Sequence, residues 1–289
     1  LFQEEEKMQL VKKQTATQSQ KLMVFVLTMA LYGLATLFTE LLPKFQVGFV
    51  EFSVEFFLFI PLTLAILFDP LSAALGAATG ELVFSEIMLG QFGGLGELEK
   101  FLTVTIGVYI AGRMVRNPAN RKMVCLASIT GTAVQLLMGT IVDIMKVQFA
   151  VEDFEAVAGL PESVFATEGF AFLNDLLFSG ILFCLLPTMF LVPRLYGKIE
   201  PLLGMRPRDE QTGLGGINIK VVIGAVIAFA VAAGAELLAS SGTALIEWEA
   251  DWAESGTALA VGLVTAAVVA VIALVALKYK AGKGEAEQI

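Results

Sequence analysis

The stretch Phe59-Ile-Pro-Leu-Thr-Leu-Ala-Ile-Leu-Phe-Asp-Pro-Leu-Ser-Ala-Ala-Leu-Gly-Ala-Ala-Thr-Gly-Glu-Leu82 sets the class of this protein. Two apolar runs meet at Asp69-Pro70, and the second, dense in alanine and glycine, carries a lone carboxylate at Glu81. The texture continues in both directions. The chain is 56% hydrophobic and only 16% charged, with mean hydropathy +0.77, outside the range of soluble folds. A hydrocarbon core about 30 Å thick takes roughly 20 helical residues per crossing. The pattern predicts eight crossings, at residues 22–42, 50–68, 71–89, 98–115, 123–147, 165–192, 219–239 and 256–277.

Lysine and arginine set the expected orientation. Sixteen of the 19 basic residues fall in the amino-terminal tail, in the connections after the fourth and sixth crossings, and in the carboxy-terminal tail. Only Lys44, Lys100 and Lys146 fall on the other side, where 19 of the 28 acids lie. The positive-inside rule then puts both termini in the cytoplasm. Phenylalanine occurs 20 times between residues 21 and 200 and once afterwards, at Phe229, which suggests a composite build. The expected fold is an all-α membrane protein. A polar cytoplasmic segment (1–21) precedes a six-helix core (22–200), a solvated linker (201–218), a two-helix hairpin (219–278) and a cytoplasmic tail (279–289). Trp248 and Trp252, four apart at the hairpin tip, read as headgroup anchors.

Composition also excludes functions. A formal charge of -9 without a basic stripe argues against a nucleic-acid partner. The absence of histidine removes the usual general base and imidazole ligands, so no metal site and no enzyme is expected. Cys125 and Cys184 lie in apolar runs and read as small buried side chains.

A charge within the bilayer costs on the order of 2.5 to 3.5 kcal/mol on insertion scales, so intramembrane polar residues are informative. Ser128, Thr132, Gln135, Gly139, Asp143 and Lys146 recur at helical steps on one stripe of the fifth crossing, and Glu168, Ala171, Asp175 and Ser179 on one stripe of the sixth, beside Asn174. At about 1.5 Å per residue, Glu81, Gln135 and Asp175 lie roughly 12 to 17 Å below the outer surface. Glu86, Asp143 and Glu168 are shallower, and Glu51 and Glu55, spaced i and i+4 in the second crossing, stand at the rim. The expectation is an acidic vestibule that takes a cationic or neutral small molecule. Glu81, Glu86, Asp143 and Asp175 would supply charge, Gln135 and Asn174 neutral hydrogen bonds, and Phe84 or Phe92 an apolar wall. The glycine-rich residues 90–99 read either as a lid or as a loose surface turn. The acidity of the outer tip is also accounted for by life in high salt.

Residues 59–82, followed by that glycine-rich loop, resemble the substrate-binding S components of energy-coupling factor transporters over residues 21–200. The resemblance implies a micronutrient-capturing subunit in the plasma membrane of a bacterium or archaeon. A membrane coupling protein and two cytoplasmic ATPases would drive it. ATP would be used by those partners, since the chain has no GxxxxGK[ST] and holds no cofactor of its own. Small residues in the first helix, Ala30, Gly33 and Ala35, are the expected docking positions. Two other classes fit the residues: a self-sufficient proton- or sodium-coupled carrier, and a noncatalytic assembly subunit, which needs none of the midplane acids.

Overall fold

The computed structural model describes residues 16–48, 50–209, 215–242 and 248–249. The expected eighth crossing, Trp252 and most of the amino-terminal segment lie outside them. Helix α1 is Gln18–Glu40, and a capping box starts it: Thr17 Oγ1 accepts from Gln20 N at 3.2 Å, and Gln20 Oε1 accepts from Thr17 N at 2.9 Å. Helix α2 is the short Phe59–Leu67. After the Asp69-Pro70 turn, α3 runs from Pro70 to Glu81 and continues as a π-helical segment, Leu82–Ile87. Helix α4 is Glu97–Met114 and α5 is Arg121–Gln148, capped by Asn120. Helix α6 spans Val164–Leu195 and contains a π-helical stretch, Leu176–Leu185. Helix α7 is Ile219–Ser240. Helices α1, α5, α6 and α7 are long and apolar enough to cross a membrane, so this is a predominantly helical membrane protein. The described residues between 16 and 248 form one compact unit that includes α7. Trp248 lies in a two-residue strand, Trp248–Glu249, and not on a helical face.

The second expected crossing is the clear departure. Instead of a helix over residues 50–68, strands β1 (Phe45–Val47) and β2 (Val50–Phe52) form an antiparallel hairpin, with Phe45 opposite Phe52 and Val47 opposite Val50. An extended segment then leads into α2. The reason is visible in Val50-Glu-Phe-Ser-Val-Glu-Phe56, where apolar and polar residues alternate with period two, the signature of extended chain. Glu51 and Glu55 therefore do not share a helical face. Lys44 Nζ lies 3.1 Å from Glu55 and 3.7 Å from Glu51. Burial pulls the Lys44 ammonium down, but those carboxylates outweigh it and hold its pKa above the usual lysine value. The exit of the hairpin is bolted to α6: Asn174 Nδ2 donates to Glu51 O at 2.9 Å, and Ser179 Oγ donates to Ser53 O at 3.1 Å.

Small residues bring the helices together. On α3, Gly76 and Gly80 are four apart, and a Cβ on either would collide with a main-chain carbonyl of α1, that of Phe25 or of Met29. Gly33 answers from α1, where a Cβ would sit 2.8 Å from Gly80 O. Helices α4 and α5 meet at Gly107 and Gly131 in the same way, a Cβ on Gly107 falling 2.7 Å from Gly131 O.

Arg208, in the linker and 1% exposed, closes the end of the bundle that carries most of the arginines. Its guanidinium donates to Gly112 O at 2.7 Å, Val115 O at 3.0 Å and Ala65 O at 2.9 Å, and also to Phe68 O. These are carbonyls that the last turns of α2 and α4 leave without intrahelical donors. Burial pulls the guanidinium down to about 10, opposed by Asp69 and reinforced by Arg113, so it stays charged at neutral pH. Tyr196 Oη donates to the Arg208 carbonyl at 2.6 Å, and Gln20 Nε2 donates to Gly204 O at 2.7 Å, fastening the linker to α6 and α1.

Two substitution pairs test this packing. Gly80→Val should cost about 1 to 3 kcal/mol through overpacking, whereas Gly234→Val, where a Cβ meets nothing within 4 Å, should be near neutral. Arg208→Met should cost about 3 kcal/mol or more by stranding the carbonyls, and Arg208→Lys should recover only part, because an ammonium has three donors and no fork. Thermal unfolding in detergent micelles checks both.

Candidate functional site

A cavity of about 290 Å³ lies between α3, α4, α5 and α6. Helix α5 turns Gln135, Gly139 and Asp143 into it, one per helical turn. The same stripe nearer the start of α5 serves packing: Ser128 and Thr132 are buried and back-bonded to Val124 O and Ser128 O at 2.8 and 3.0 Å. Helix α6 contributes Glu168, Ala171, Phe172 and Asp175, α3 contributes Glu81, and α4 contributes Glu99, Lys100 and Thr103. Placement follows from the glycine seams, since Gly80 precedes Glu81 directly and a Cβ on Gly107 would sit 2.9 Å from Gln135 Cβ.

The charges are unevenly partnered. Lys100 Nζ is held 3.0 Å from Glu86 and 3.5 Å from Glu97, at the edge of the cavity. Lys146 Nζ lies 2.9 Å from Asp143, 3.1 Å from Glu152 and 3.8 Å from Glu236. Each of Lys44, Lys100 and Lys146 is thus occupied by at least two carboxylates. Among the described residues, Glu81, Glu99, Glu168 and Asp175 have no lysine or arginine within 4.0 Å. Three residues of the cavity lining each carry a buried acceptor without a hydrogen-bond partner: Glu81 Oε2, Glu99 Oε1 and Gln135 Oε1. A buried acceptor left unsatisfied costs about 1 to 3 kcal/mol, so three such atoms in residues around one void are an energetic burden on this part of the fold.

Of the expected site residues, Glu81, Gln135, Asp143 and Asp175 come together here. Glu86 stands behind Glu81, buried and paired with Lys100. Asn174 is turned to the Glu51 carbonyl, with Asp175 Oδ1 3.4 Å from its amide. Phe84 lies against Gly33 of α1, so the ring packs between helices. Phe92 sits half-buried in the strand Gln91–Phe92, away from the cavity lining, whose aromatic is Phe172. Gly33 is consumed in the contact with α3, and Ala30 and Ala35 are half-buried. Glu99, Lys100, Thr103 and Phe172 were not among the expected residues. The available signal was Glu99 and Thr103 at i and i+4, which share a face once α4 begins at Glu97.

A second chamber of about 440 Å³ adjoins the first and shares Glu99, Lys100 and Asp143 with it. Gly93 and Gly96 of the glycine-rich loop line it, along with Lys146 and, from α7, Glu236. The loop is folded: Gly94–Gly96 makes a 3-10 turn, and Gly93 N donates to Glu97 Oε1 at 3.0 Å. Among the described residues no group of three acids or cysteines is arranged to hold a metal ion.

The profile of DUF8171, described as a family of unknown function, matches residues 23–286. The chain belongs to that family. No curated protein and no solved structure matches it. The DUF8171 match takes in all seven described helices apart from the first turn of α1, and with them the whole cavity.

Gly139 gives a direct way to close this cavity. A Cβ there meets nothing within 4 Å, so Gly139→Phe should obstruct the void and leave the free energy of unfolding within about 0.5 kcal/mol of the parent. The same variant should abolish saturable binding of small molecules, read by calorimetric titration.

Proposed function

We propose that this DUF8171 chain is a membrane-embedded substrate-binding subunit for ATP-driven uptake of a small, vitamin-like micronutrient, cationic or neutral and rich in hydrogen-bond donors. The observation that carries this reading is the void lined by Glu81, Glu99, Gln135, Glu168 and Asp175, three of which hold a buried acceptor atom without a donor. An anion there would meet five carboxylates against one lysine in a low-dielectric setting. Glu81 and Asp175 bind the ligand's charged or N–H groups, Gln135 accepts a neutral hydrogen bond, and Phe172 supplies an apolar face.

The asymmetry of basic residues orients the acid-rich chamber outward and both termini to the cytoplasm. Ligand enters through the chamber beside Gly93 and Gly96 and passes Lys100 into the deeper cavity. Energy comes from a coupling protein and two ATPases, because the chain carries no phosphate-binding loop. The half-buried positions of α1 around Ala30 and Ala35 remain the docking face in this scheme, with Gly33 fixing α1 from behind.

A second reading draws on a specific feature. Glu81 and Asp175 each stand at the junction where an α-helix becomes a π-helix, and α2 is a half-length helix entered from extended chain. Carboxylates at interrupted helices also suit a stand-alone proton- or sodium-coupled carrier.

Two experiments test these readings. In a thermal-shift screen of vitamins and precursors, followed by titration, Glu81→Gln and Asp175→Asn should each weaken the best ligand by about 2 kcal/mol or more. Exposed Glu162→Gln should leave it unchanged. A tight anionic ligand, or equal affinity in all three variants, overturns the assignment of the cavity. Purification from native membranes in mild detergent should recover ATPase and coupling subunits. Concentrative uptake by the purified chain alone in liposomes under a proton or sodium gradient would establish the second reading instead.

A further inference from the structure

A different cavity, of about 430 Å³, opens between α4 and α7. The two helices run antiparallel, so Arg113 near the end of α4 and Lys220 at the start of α7 stand together at the arginine-rich end of the bundle. From that end the walls become apolar, with Ile106 on one side and Val221, Ala225 and Ala228 on the other. Eight residues separate Arg113 from Thr105 and Lys220 from Ala228, so each wall extends about 12 Å into the bilayer. The flank of α7 beside it, at Val222, Ile223 and Val226, is exposed.

The polar end has spare capacity for an anion. Arg113 uses Nε and Nη2 on Gly216 O, at 3.2 and 2.9 Å, which leaves donors of its five free. The guanidinium lies 5.9 Å above the Tyr109 ring, which holds it at the mouth. Lys220 is exposed and has no ion pair among the described residues. Asn218 Oδ1 takes Val221 N–H at 3.0 Å and begins α7 beside these cations, adding the positive end of a helix. No acidic residue lines the trough, in contrast to the cavity at the other end.

We propose that this trough binds one glycerophospholipid with an anionic headgroup, the phosphate between Arg113 and Lys220 and one acyl chain along Ile106, Val221 and Ala225. A free anion would satisfy the cations and leave the apolar wall uncovered, and an uncharged lipid would do the reverse. The site is independent of the transport reading. The bound lipid bridges α4, which carries Glu99 and Lys100, to α7, which carries Glu236.

The experiment is native mass spectrometry of the full chain, delipidated in detergent and titrated with phosphatidylglycerol, phosphatidylcholine or glycerol 3-phosphate. One phosphatidylglycerol should be retained in preference to phosphatidylcholine. Lys220→Gln should weaken retention about fivefold, while Lys198→Gln, an exposed lysine elsewhere, should have no effect. Gly224→Phe should eliminate retention without harming the fold, because a Cβ at Gly224 meets nothing within 4 Å. Equal retention of the two lipids, undiminished retention in Lys220→Gln and Gly224→Phe, or displacement by glycerol 3-phosphate at lipid-like concentration would each overturn the proposal.

Discussion

Everything in this bundle hangs on how closely the backbone of α3 approaches that of α1. Gly76 and Gly80 let carbonyls of α1 lie where a side chain would otherwise be, and Gly33 answers from the opposite helix. Without a hydrophobic driving force between helices in lipid, such contact supplies the dispersion energy that association requires. It also fixes the height and rotation of α3, so Glu81 is delivered to the cavity by the glycine that precedes it. The seam at Gly107 and Gly131 does the same for Gln135. Packing and site are therefore a single arrangement, with the wall of the cavity built from the residues next to the tightest contacts.

The acids around the hairpin and the two acidic chambers divide into two populations by what surrounds them. Glu51, Glu55, Glu86, Glu97, Asp143, Glu152 and Glu236 surround three lysines, each of which holds a loop or a helix end in place. Glu81, Glu99, Glu168 and Asp175 line the void and have no such cation. Holding these carboxyl groups away from water without a cation is a standing cost to the empty protein, borne by the seams and by the Arg208 clasp at the opposite end. A ligand that neutralises them stabilises the fold as it binds.

Much of this was legible in the chain. The stripe of α5 and the depth of Glu81 follow from a 3.6-residue period, and α1, α5, α6 and α7 follow from length and hydropathy. The hairpin was written in the alternation of Val50 to Phe56 but lay inside a run apolar enough to pass for a crossing. Arg208 counted only as a positive charge setting orientation, because nothing local distinguishes an arginine in solvent from one capping two helices. Phe172, in place of Phe84 or Phe92, could not be chosen from sequence, since ring positions depend on helix rotation. The surroundings of Asn174 were out of reach for a related reason. Its partner is a main-chain carbonyl of a strand that the helical reading did not contain.

The π-helical stretch of α6 divides one sequence stripe between two duties. Glu168, Ala171 and Asp175, before it, line the cavity, while Ser179, within it, turns to the hairpin. A π turn holds one more residue than the α turn it replaces, so residues 176–185 are where this helix can lose a residue by tightening its winding. Chain length in α6 is thus negotiable at that one place. Elsewhere in the helix a deletion turns every later side chain by about 100°. A one-residue length difference among family members should accordingly fall between Asp175 and Leu186, leaving the cavity face untouched on one side and the anchor of α6 to the linker on the other.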